Sequence, residues 1–195
     1  MPKKTSIKLA AKEYLSASKE IRNYFDATAG LKEPFSSWTA DHAIIRLYRE
    51  FEQMILTVLT GAINQDTTTI SNTTGIGFPK HLSKDVCQFL IVGDGYFDFK
   101  GRNGLIQVIK SYVPENHYFA STVGDKTHAK SLDLLSALRN FATHESAKSK
   151  NAAYAATGTK KLSSSGSWLR AEGRFSIICA DLETLVKEIE KRAPF

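Results

Sequence analysis

Apolar residues recur at the spacing of an α-helix over several long segments of this chain. The first segment begins after Thr5 or Ser6, either of which can cap a helix, and Gly30 provides a stop signal. We therefore predict an N-terminal helix within residues 1–30. Its apolar face is formed by Ile7, Ala11, Tyr14, Ile21 and Phe25.

A longer helix is predicted after Pro34 and the Ser36-Ser37 pair, which punctuate the chain. Its apolar stripe is broad, and a broad stripe is typical of a helix that is buried on several sides at the centre of a domain. The helix is expected to end near Gly61 or Asn64. The stripe comprises Ala43, Ile44, Leu47, Tyr48, Phe51, Met54, Ile55, Val58 and Leu59.

The helical pattern is interrupted over residues 65–101. Residues 65–77 are polar and rich in turn-forming residues, which predicts a surface loop. The apolar run at 86–92 is too short for its period to distinguish a helix from a strand, and residues 96–99 suggest a short extended piece. We expect a mostly irregular insertion here, lying over one end of the helices.

Helical spacing returns in the second half of the chain. Asn103 can cap a helix that Pro114 ends. The next helix is predicted to begin around Asp125 or Thr127. Its apolar seam is formed by Leu132, Leu135, Leu138 and Ala142, with Leu134 and Phe141 on its flanks.

The last helix is predicted from about Leu169 to Arg192. Before it, residues 148–167 are rich in Ser, Thr, Ala, Gly and Lys, which favours a loop or a frayed helix extension. Five helices without a convincing strand predict an all-α fold, a helical bundle of about five helices. A chain of 195 residues is expected to form a single domain, residues 1–195.

The composition is that of an ordinary globular protein, with 42% hydrophobic and 24% charged residues. The net charge of +6 favours a polyanionic partner only mildly, because lysines, which also keep surfaces soluble, outnumber arginines by 18 to 8. Cys87 and Cys179 lie in apolar runs and are expected to be buried free thiols. The sequence has no signal-peptide pattern and no apolar run approaching the ~20 residues of a membrane span, so we expect a cytoplasmic protein.

The candidate chemistry lies near the end of the helix predicted from about residue 125, where Arg139, Asn140 and His144 occur together. An arginine can hold a phosphate through two parallel hydrogen bonds, and a histidine can move a proton near neutral pH. In a chain with 8 Arg and 5 His, an arginine followed by a histidine after four to six intervening residues is expected about 0.6 times by chance. The spacing alone is therefore weak evidence for a site. The two side chains are about 140° apart around the helix and cannot share one buried seam. A purely structural interpretation stays open, in which Arg139 lies along the surface and His144 interacts with the helix dipole.

The sequence contains no convincing pattern for a zinc site, a phosphate-binding loop or a catalytic serine. The remaining four histidines lack metal-ligand spacing, which argues against a zinc site, and His128 is expected at the surface. Gly93-Asp94-Gly95 lacks the third glycine, the following helix and the lysine of a phosphate-binding loop. Gly166-Ser167-Trp168 is not the sharp turn that exposes a catalytic serine. We expect neither a metal nor a cofactor.

Charged residues near this helix add two further candidates. Four lysines just beyond His144 can hold a nucleic-acid backbone in a salt-sensitive way, or can simply face solvent. They are Lys148, Lys150, Lys160 and Lys161. Glu52 shares its helix with the broad apolar stripe and is a candidate to line a site. Arg46 and Glu50 are spaced for an ordinary ion pair on the same helix.

The segment Leu138-Arg139-Asn140-Phe141-Ala142-Thr143-His144 resembles the signature of the HEPN superfamily, an arginine followed by a polar residue and, after four to six positions, a histidine. The order of further segments, over roughly residues 36–192, is similar to that of the RiboL-PSP-type HEPN proteins. These segments are Leu47-Tyr48-Arg49-Glu50-Phe51-Glu52, Tyr96-Phe97-Asp98-Phe99-Lys100-Gly101-Arg102-Asn103, Trp168-Leu169-Arg170 and Arg174-Phe175.

This resemblance implies a helical bundle that dimerises by apposing its motif helices. It implies a metal-independent endoribonuclease in a toxin, antiviral-defence or RNA-processing setting, with RNA as substrate and an antitoxin or another protein as a further partner. Arg139 would bind phosphate, Asn140 would shape the site and His144 would transfer a proton. Ser146 stands where some members carry a tyrosine that a partner nucleotidyltransferase modifies, which argues against that subtype. A catalytically silent RNA- or nucleotide-binding member and a purely structural interaction protein stay open as alternatives.

Overall fold

The computed structural model describes residues 6–194, and every regular element in that range is helical. The all-α prediction is confirmed. The described range contains ten α-helices where about five were expected, because short helices also form in segments that lack a long apolar period. They are α1 (Ile7–Ala27), α2 (Phe35–Gln65), α3 (Thr68–Thr74), α4 (Lys84–Val92), α5 (Gly101–Tyr112), α6 (Tyr118–Gly124), α7 (Ala129–His144), α8 (Ala147–Thr157), α9 (Ser165–Leu169) and α10 (Arg174–Arg192).

Helix α2 lies at the centre of the fold. Every member of its predicted apolar stripe is at most 3% exposed, and burying one large aliphatic or aromatic side chain contributes about 1.5–3 kcal/mol. Helix α1 runs antiparallel to α2, since Tyr14 packs against Phe51 whereas the later Tyr24 packs against the earlier His42. Helix α10 packs along α1, and α7 packs on α2. The long helices therefore surround the one with the broadest stripe.

Helices α1 and α2 begin close to the predicted residues. Ser6 caps α1 by accepting a hydrogen bond from the Leu9 amide at 3.1 Å, and the other capping candidate, Thr5, lies outside the described residues. Helix α2 continues to Gln65, four residues beyond Gly61 and one beyond Asn64, the two predicted ends. Local capping signals therefore locate the starts of these two helices better than stop signals locate their ends.

The segment 65–101 is more ordered than its polar sequence predicted. It contains α3 and α4, so the expectation of a mostly irregular insertion was wrong for about half of it. Ser83 caps α4 by accepting from the Val86 amide, and the helix then packs over the end of α2. A small second apolar cluster holds these helices together and comprises Ile63, Ile70, Leu82 and Cys87.

Helix α5 begins two residues before the predicted cap at Asn103. Its first amides are satisfied by α7 instead, since Gly101 N–H donates to Ser136 Oγ at 3.1 Å and Arg102 N–H donates to Asp133 Oδ1 at 3.1 Å. A cap supplied by a distant helix leaves no signal in the local sequence. These bonds also fix the start of α5 against α7.

The segment 148–167, predicted as a loop or frayed extension, contains α8 and α9. Ser146 and Ser149 form a reciprocal capping box that begins α8 immediately after α7 ends. The last helix begins at Arg174 rather than near Leu169, because the chain turns at Gly173, where φ is 66°.

No helix within residues 6–194 combines the length and the hydrophobicity needed to cross a membrane. Cys87 and Cys179 are buried and unpaired, as predicted.

Candidate functional site

The candidate residues Arg139 and His144 lie on different sides of α7. The apolar seam of this helix is fully buried at Leu132, Leu135 and Leu138. Arg139 is half-buried, whereas His144 is exposed and is the last residue of the helix. Five residues of helix separate the two by about 7.5 Å along the axis. One chain therefore presents them in two directions.

Arg139 is held against an aromatic ring of α2. Its Cζ lies 4.4 Å from the centroid of the Tyr48 ring, and its Nη1 donates to Asn140 Oδ1 at 2.7 Å. A guanidinium over an aromatic face contributes roughly 0.5–1 kcal/mol when the site is partly exposed. This single bond engages one of the five guanidinium N–H groups, so further donors can still reach a ligand.

Tyr48 is in turn fixed by the segment that precedes α5. Its single hydroxyl hydrogen is donated to Asp98 Oδ1 at 2.6 Å, and the Phe99 carbonyl oxygen lies 3.1 Å from the same hydroxyl. The Phe99 ring stacks on the Tyr48 ring with centroids 5.0 Å apart. Burial, together with the bond to the Asp98 carboxylate, raises the pKa of Tyr48. The tyrosine therefore stays protonated and serves as a donor and a platform.

Glu52 lies one helical turn beyond Tyr48 on the same side of α2. Its Oε1 is buried and accepts no hydrogen bond. Burial raises the pKa of Glu52 to about 7, with a further increase from Asp98 that opposes the attraction of Arg139 and Arg49. A carboxyl with this pKa can exchange a proton near neutral pH. Glu52, Arg139 and Asn140 thus belong to one cluster.

The end of α7 has an unusual backbone. Glu145, directly after His144, adopts φ 45° and ψ 21°, a left-handed conformation that is uncommon for a residue with a side chain. This turn ends α7 and lets α8 begin two residues later. Such local strain persists only where surrounding contacts hold it, and here the Glu145 amide still donates to the Phe141 carbonyl at 3.0 Å.

A pocket of about 240 Å³ adjoins this turn. Asp41 of α2, Glu145 and Lys150 line it together with Ser163, Ser164 and Ser165. Burial raises the pKa of Asp41 to about 6. The hydrogen bond that the Gly166 amide donates at 2.6 Å lowers this pKa, whereas repulsion from Glu145 and Glu33 raises it further. The pocket connects the start of α2 with the end of α7.

The four candidate lysines lie at the two ends of α8 and do not form one patch. Lys148 is exposed and Lys150 is half-buried in the first turn, where Lys150 Nζ lies 5.8 Å from the Tyr154 ring centroid. Lys160 and Lys161 are exposed beyond the other end. An 11-residue helix is about 16 Å long, so an extended polyanion could contact both pairs only by following α8.

Sequence reasoning missed two members of the Arg139 cluster, Tyr48 as its platform and Asp98 as the acceptor of its hydroxyl. The sequence places Tyr48 in the apolar stripe and both residues in segments that resemble the HEPN proteins, but it assigns neither of them a role in the site, although the position of Tyr48 one turn before Glu52 is a usable signal. The expected surface position of His128 was wrong. His128 is 3% exposed, and its Nε2 lies 3.3 Å from Glu188 Oε2 of α10.

Within residues 6–194, no group of three or more His, Cys, Asp or Glu side chains is arranged to hold a metal ion. The cluster around Arg139 instead offers a cation, an amide and a carboxyl of near-neutral pKa, which suits an anionic ligand and proton transfer. Comparison with protein-family models, with curated proteins and with solved structures finds no match.

Proposed function

We propose that this protein is a metal-independent endoribonuclease that acts as a homodimer, with Arg139 and His144 of both copies around one cleft. The observation that carries the proposal is the arrangement on α7, where a half-buried Arg139 is held in place by Tyr48 and Asn140 while His144 stands exposed at the helix end. The resemblance of residues 138–144 to the HEPN signature supports the same assignment.

The proposed reaction uses the ribose 2′-hydroxyl as its nucleophile. This oxygen attacks the adjacent phosphorus as the bond to the 5′-oxygen breaks, leaving a 2′,3′-cyclic phosphate and a free 5′-hydroxyl. His144 takes the proton from the 2′-hydroxyl or returns one to the leaving oxygen, and Arg139 neutralises the developing negative charge. Asn140 holds the guanidinium in position through its side-chain oxygen.

A second copy explains the separation of the two residues on α7. Cleavage in one step needs a base that removes the 2′-hydroxyl proton and an acid that protonates the leaving 5′-oxygen. One His144 side chain cannot be both at the same moment. Two motif helices related by a twofold axis supply both, and each adds an arginine. In this arrangement Glu52 lines the site behind Arg139. The setting that we propose is toxin, defence or RNA processing, with an antitoxin or another protein as a further partner.

The proposal is tested by RNA cleavage in the presence of EDTA. We expect His144→Ala and Arg139→Ala each to lower the rate at least roughly 100-fold, because each removes a group that acts only as charge and protons move. Arg139→Lys is expected to restore little, since an ammonium lacks the planar fork of donors. His81→Ala, which changes an exposed histidine between α3 and α4, is the matched control.

Two outcomes would contradict the ribonuclease. One is cleavage that depends on a divalent metal, and the other is cleavage that survives His144→Ala. RNA binding that falls steeply with salt, without turnover, would favour the catalytically silent RNA-binding alternative.

A further inference from the structure

A second pocket, of about 380 Å³, opens where side chains of α7, α8, α9 and α10 meet. Its volume lies within the range of small-molecule sites in proteins. None of its lining residues belongs to the cluster around Arg139. Leu134, which lines the pocket, lies about 15 Å before His144 along the axis of α7. The pocket is therefore separate from the candidate cleavage site.

The deeper part of this pocket is apolar. Leu134 of α7 and Ile178 of α10 are buried side chains of the wall, and Ala156 of α8 leaves space between them. Ile177 also lines the pocket and is 57% exposed. Apolar surface in a concave site favours a ligand with an apolar body, because binding removes both surfaces from water.

One end of the pocket is formed by Arg174 and Trp168. The Arg174 Cζ lies 4.6 Å from the centroid of the Trp168 ring. Its Nη1 donates to the Trp168 carbonyl at 3.3 Å and its Nη2 to Glu172 Oε2 at 3.2 Å, so three of the five guanidinium N–H groups stay available. The Trp168 Nε1 is buried and has no hydrogen-bond partner in the described part of the chain. An acceptor group bound at Arg174 would come close to this second donor.

The other end of the pocket offers no comparable buried group. Asp181 lies about 10 Å beyond Arg174 along α10, and its Oδ2 accepts a hydrogen bond from Ser131 Oγ at 2.5 Å. Its carboxylate is thereby held against α7. Lys130, next to Ser131, is exposed. The available hydrogen-bonding groups of the pocket are thus mainly donors, which need acceptors from a ligand.

The charges of the pocket favour an anion in the same way. Arg174 and Lys130 line it together with one carboxylate, that of Asp181. A second carboxylate, that of Glu172, pairs with Arg174 but is 79% exposed and lies outside the lining. An ion pair with such an exposed partner is weak. The guanidinium, whose side chain is only 26% exposed, is therefore the group best placed to select an acidic ligand.

We infer that this pocket binds a small amphipathic organic anion, with its apolar body against Leu134 and Ile178 and its acidic group on Arg174. The ligand is a small molecule in addition to any RNA. The inference does not depend on the proposed ribonuclease, because neither Arg139 nor His144 takes part in it.

Two fluorescent probes with one shared body test the acidic group. 8-Anilinonaphthalene-1-sulfonate carries an acidic group on this body, and N-phenyl-1-naphthylamine lacks it. Arg174→Gln is expected to weaken binding of the sulfonate at least roughly tenfold, because it removes a charge-assisted hydrogen bond, and to leave binding of the neutral probe nearly unchanged. Lys191→Gln, which removes the same charge from an exposed position of α10, is the matched control and is expected to change neither.

A cavity-filling variant tests the apolar body. Ala156→Leu is expected to weaken both probes at least roughly tenfold, because its larger side chain occupies the space that they need. Ala147→Leu makes the same change at an exposed position of α8 and is expected to leave binding unchanged. Thermal denaturation of each variant, followed by circular dichroism, separates a filled pocket from an unfolded protein. Arg174→Gln gives an independent answer if Ala156→Leu lowers the melting temperature.

The tryptophan in the pocket wall locates the bound probe. In a Trp38→Phe background Trp168 is the sole tryptophan. Energy transfer to the bound sulfonate is expected to quench its emission, with the same dissociation constant as the increase in probe fluorescence.

Three outcomes would overturn the inference. Probe binding that is unchanged in both Arg174→Gln and Ala156→Leu would place the probes elsewhere on the surface. Equal weakening of both probes by Arg174→Gln would remove the selection for an acidic group. Displacement of the sulfonate by a uridine dinucleotide would assign the pocket to RNA instead of a separate small molecule.

Discussion

At the scale of single residues, the defining feature is Glu52, a carboxyl with a buried, unpartnered oxygen beside a guanidinium. Burial and the nearby Asp98 outweigh the attraction of Arg139 and Arg49, so the pKa of Glu52 rises from its ordinary 4.5 to about 7. A buried carboxyl that finds no hydrogen-bond donor destabilises the folded protein whenever it is charged. Carboxyls with strongly raised pKa values occur more often at sites of proton transfer or ligand binding than elsewhere in proteins.

We predict that Glu52→Gln stabilises the protein in a pH-dependent way. A carboxyl with a raised pKa binds its proton more tightly in the folded chain, so its contribution is complete below about pH 4.5 and is lost as pH rises through about 7. The variant cannot ionise. Above neutral pH it is expected to gain about 1 kcal/mol over wild type, a value reduced because the half-buried carboxyl is still partly hydrated.

Urea denaturation between acidic and weakly alkaline pH measures this difference. Glu13→Gln, which changes an exposed carboxyl on α1, controls for the loss of one negative charge. A free-energy difference between Glu52→Gln and wild type that does not vary with pH would show that Glu52 titrates as an ordinary surface group.

At the scale of elements, the contact between α2 and α9 brings together Asp41 and Ser165, which line the pocket beside α7. A Cβ atom on Gly166 would lie 2.0 Å from the Ser37 carbonyl oxygen, so the two backbones meet with no room for a side chain. The same approach lets the Gly166 amide donate to Asp41, and Ser165 Oγ donates to the Leu138 carbonyl of α7 at 2.7 Å. Helix α9 thereby joins α2 to α7.

We predict that Gly166→Ala destabilises the protein by about 3 kcal/mol or more, because the neighbouring atoms are backbone and cannot move aside. Thermal denaturation followed by circular dichroism measures the effect. Gly77→Ala is the matched control, since a Cβ there meets nothing within 4 Å. Equal melting temperatures for the two variants would show that α9 is not held against α2 as described.

The helices that the sequence predicted well are those whose apolar residues recur over many turns, such as α1 and α2. Helices α3 and α8 escaped prediction because their sequences are rich in Thr or in Ala and Lys, and contacts elsewhere in the chain hold them in place. The same limit applies to the site. Arg139, Asn140 and Glu52 were candidates from their types and positions, but the bond from Tyr48 to Asp98 joins residues 50 positions apart. No local pattern reports such a contact.

At the scale of the whole molecule, the positive charge is distributed unevenly with respect to the candidate site. Lys148 and Lys150 lie on α8, which contains no acidic residue, although Glu145 lines a pocket together with Lys150. Lys148 and Lys150 follow His144 within two helical turns of chain, and Lys160 and Lys161 lie about 16 Å farther along. An RNA strand held at His144 would therefore pass the start of α8 first.

We predict that the first pair of lysines contributes more to RNA binding than an equal charge placed elsewhere. In a His144→Ala background, which prevents cleavage, Lys148→Ala combined with Lys150→Ala is expected to reduce the slope of log affinity against log salt by about 1.4, the effect of two lost contacts to single-stranded phosphates. Lys187→Ala combined with Lys191→Ala removes the same charge from exposed positions of α10 and is expected to change the slope little. Equal slopes for the two double variants would mean that RNA responds to net charge alone, and α8 would then have no special place in binding.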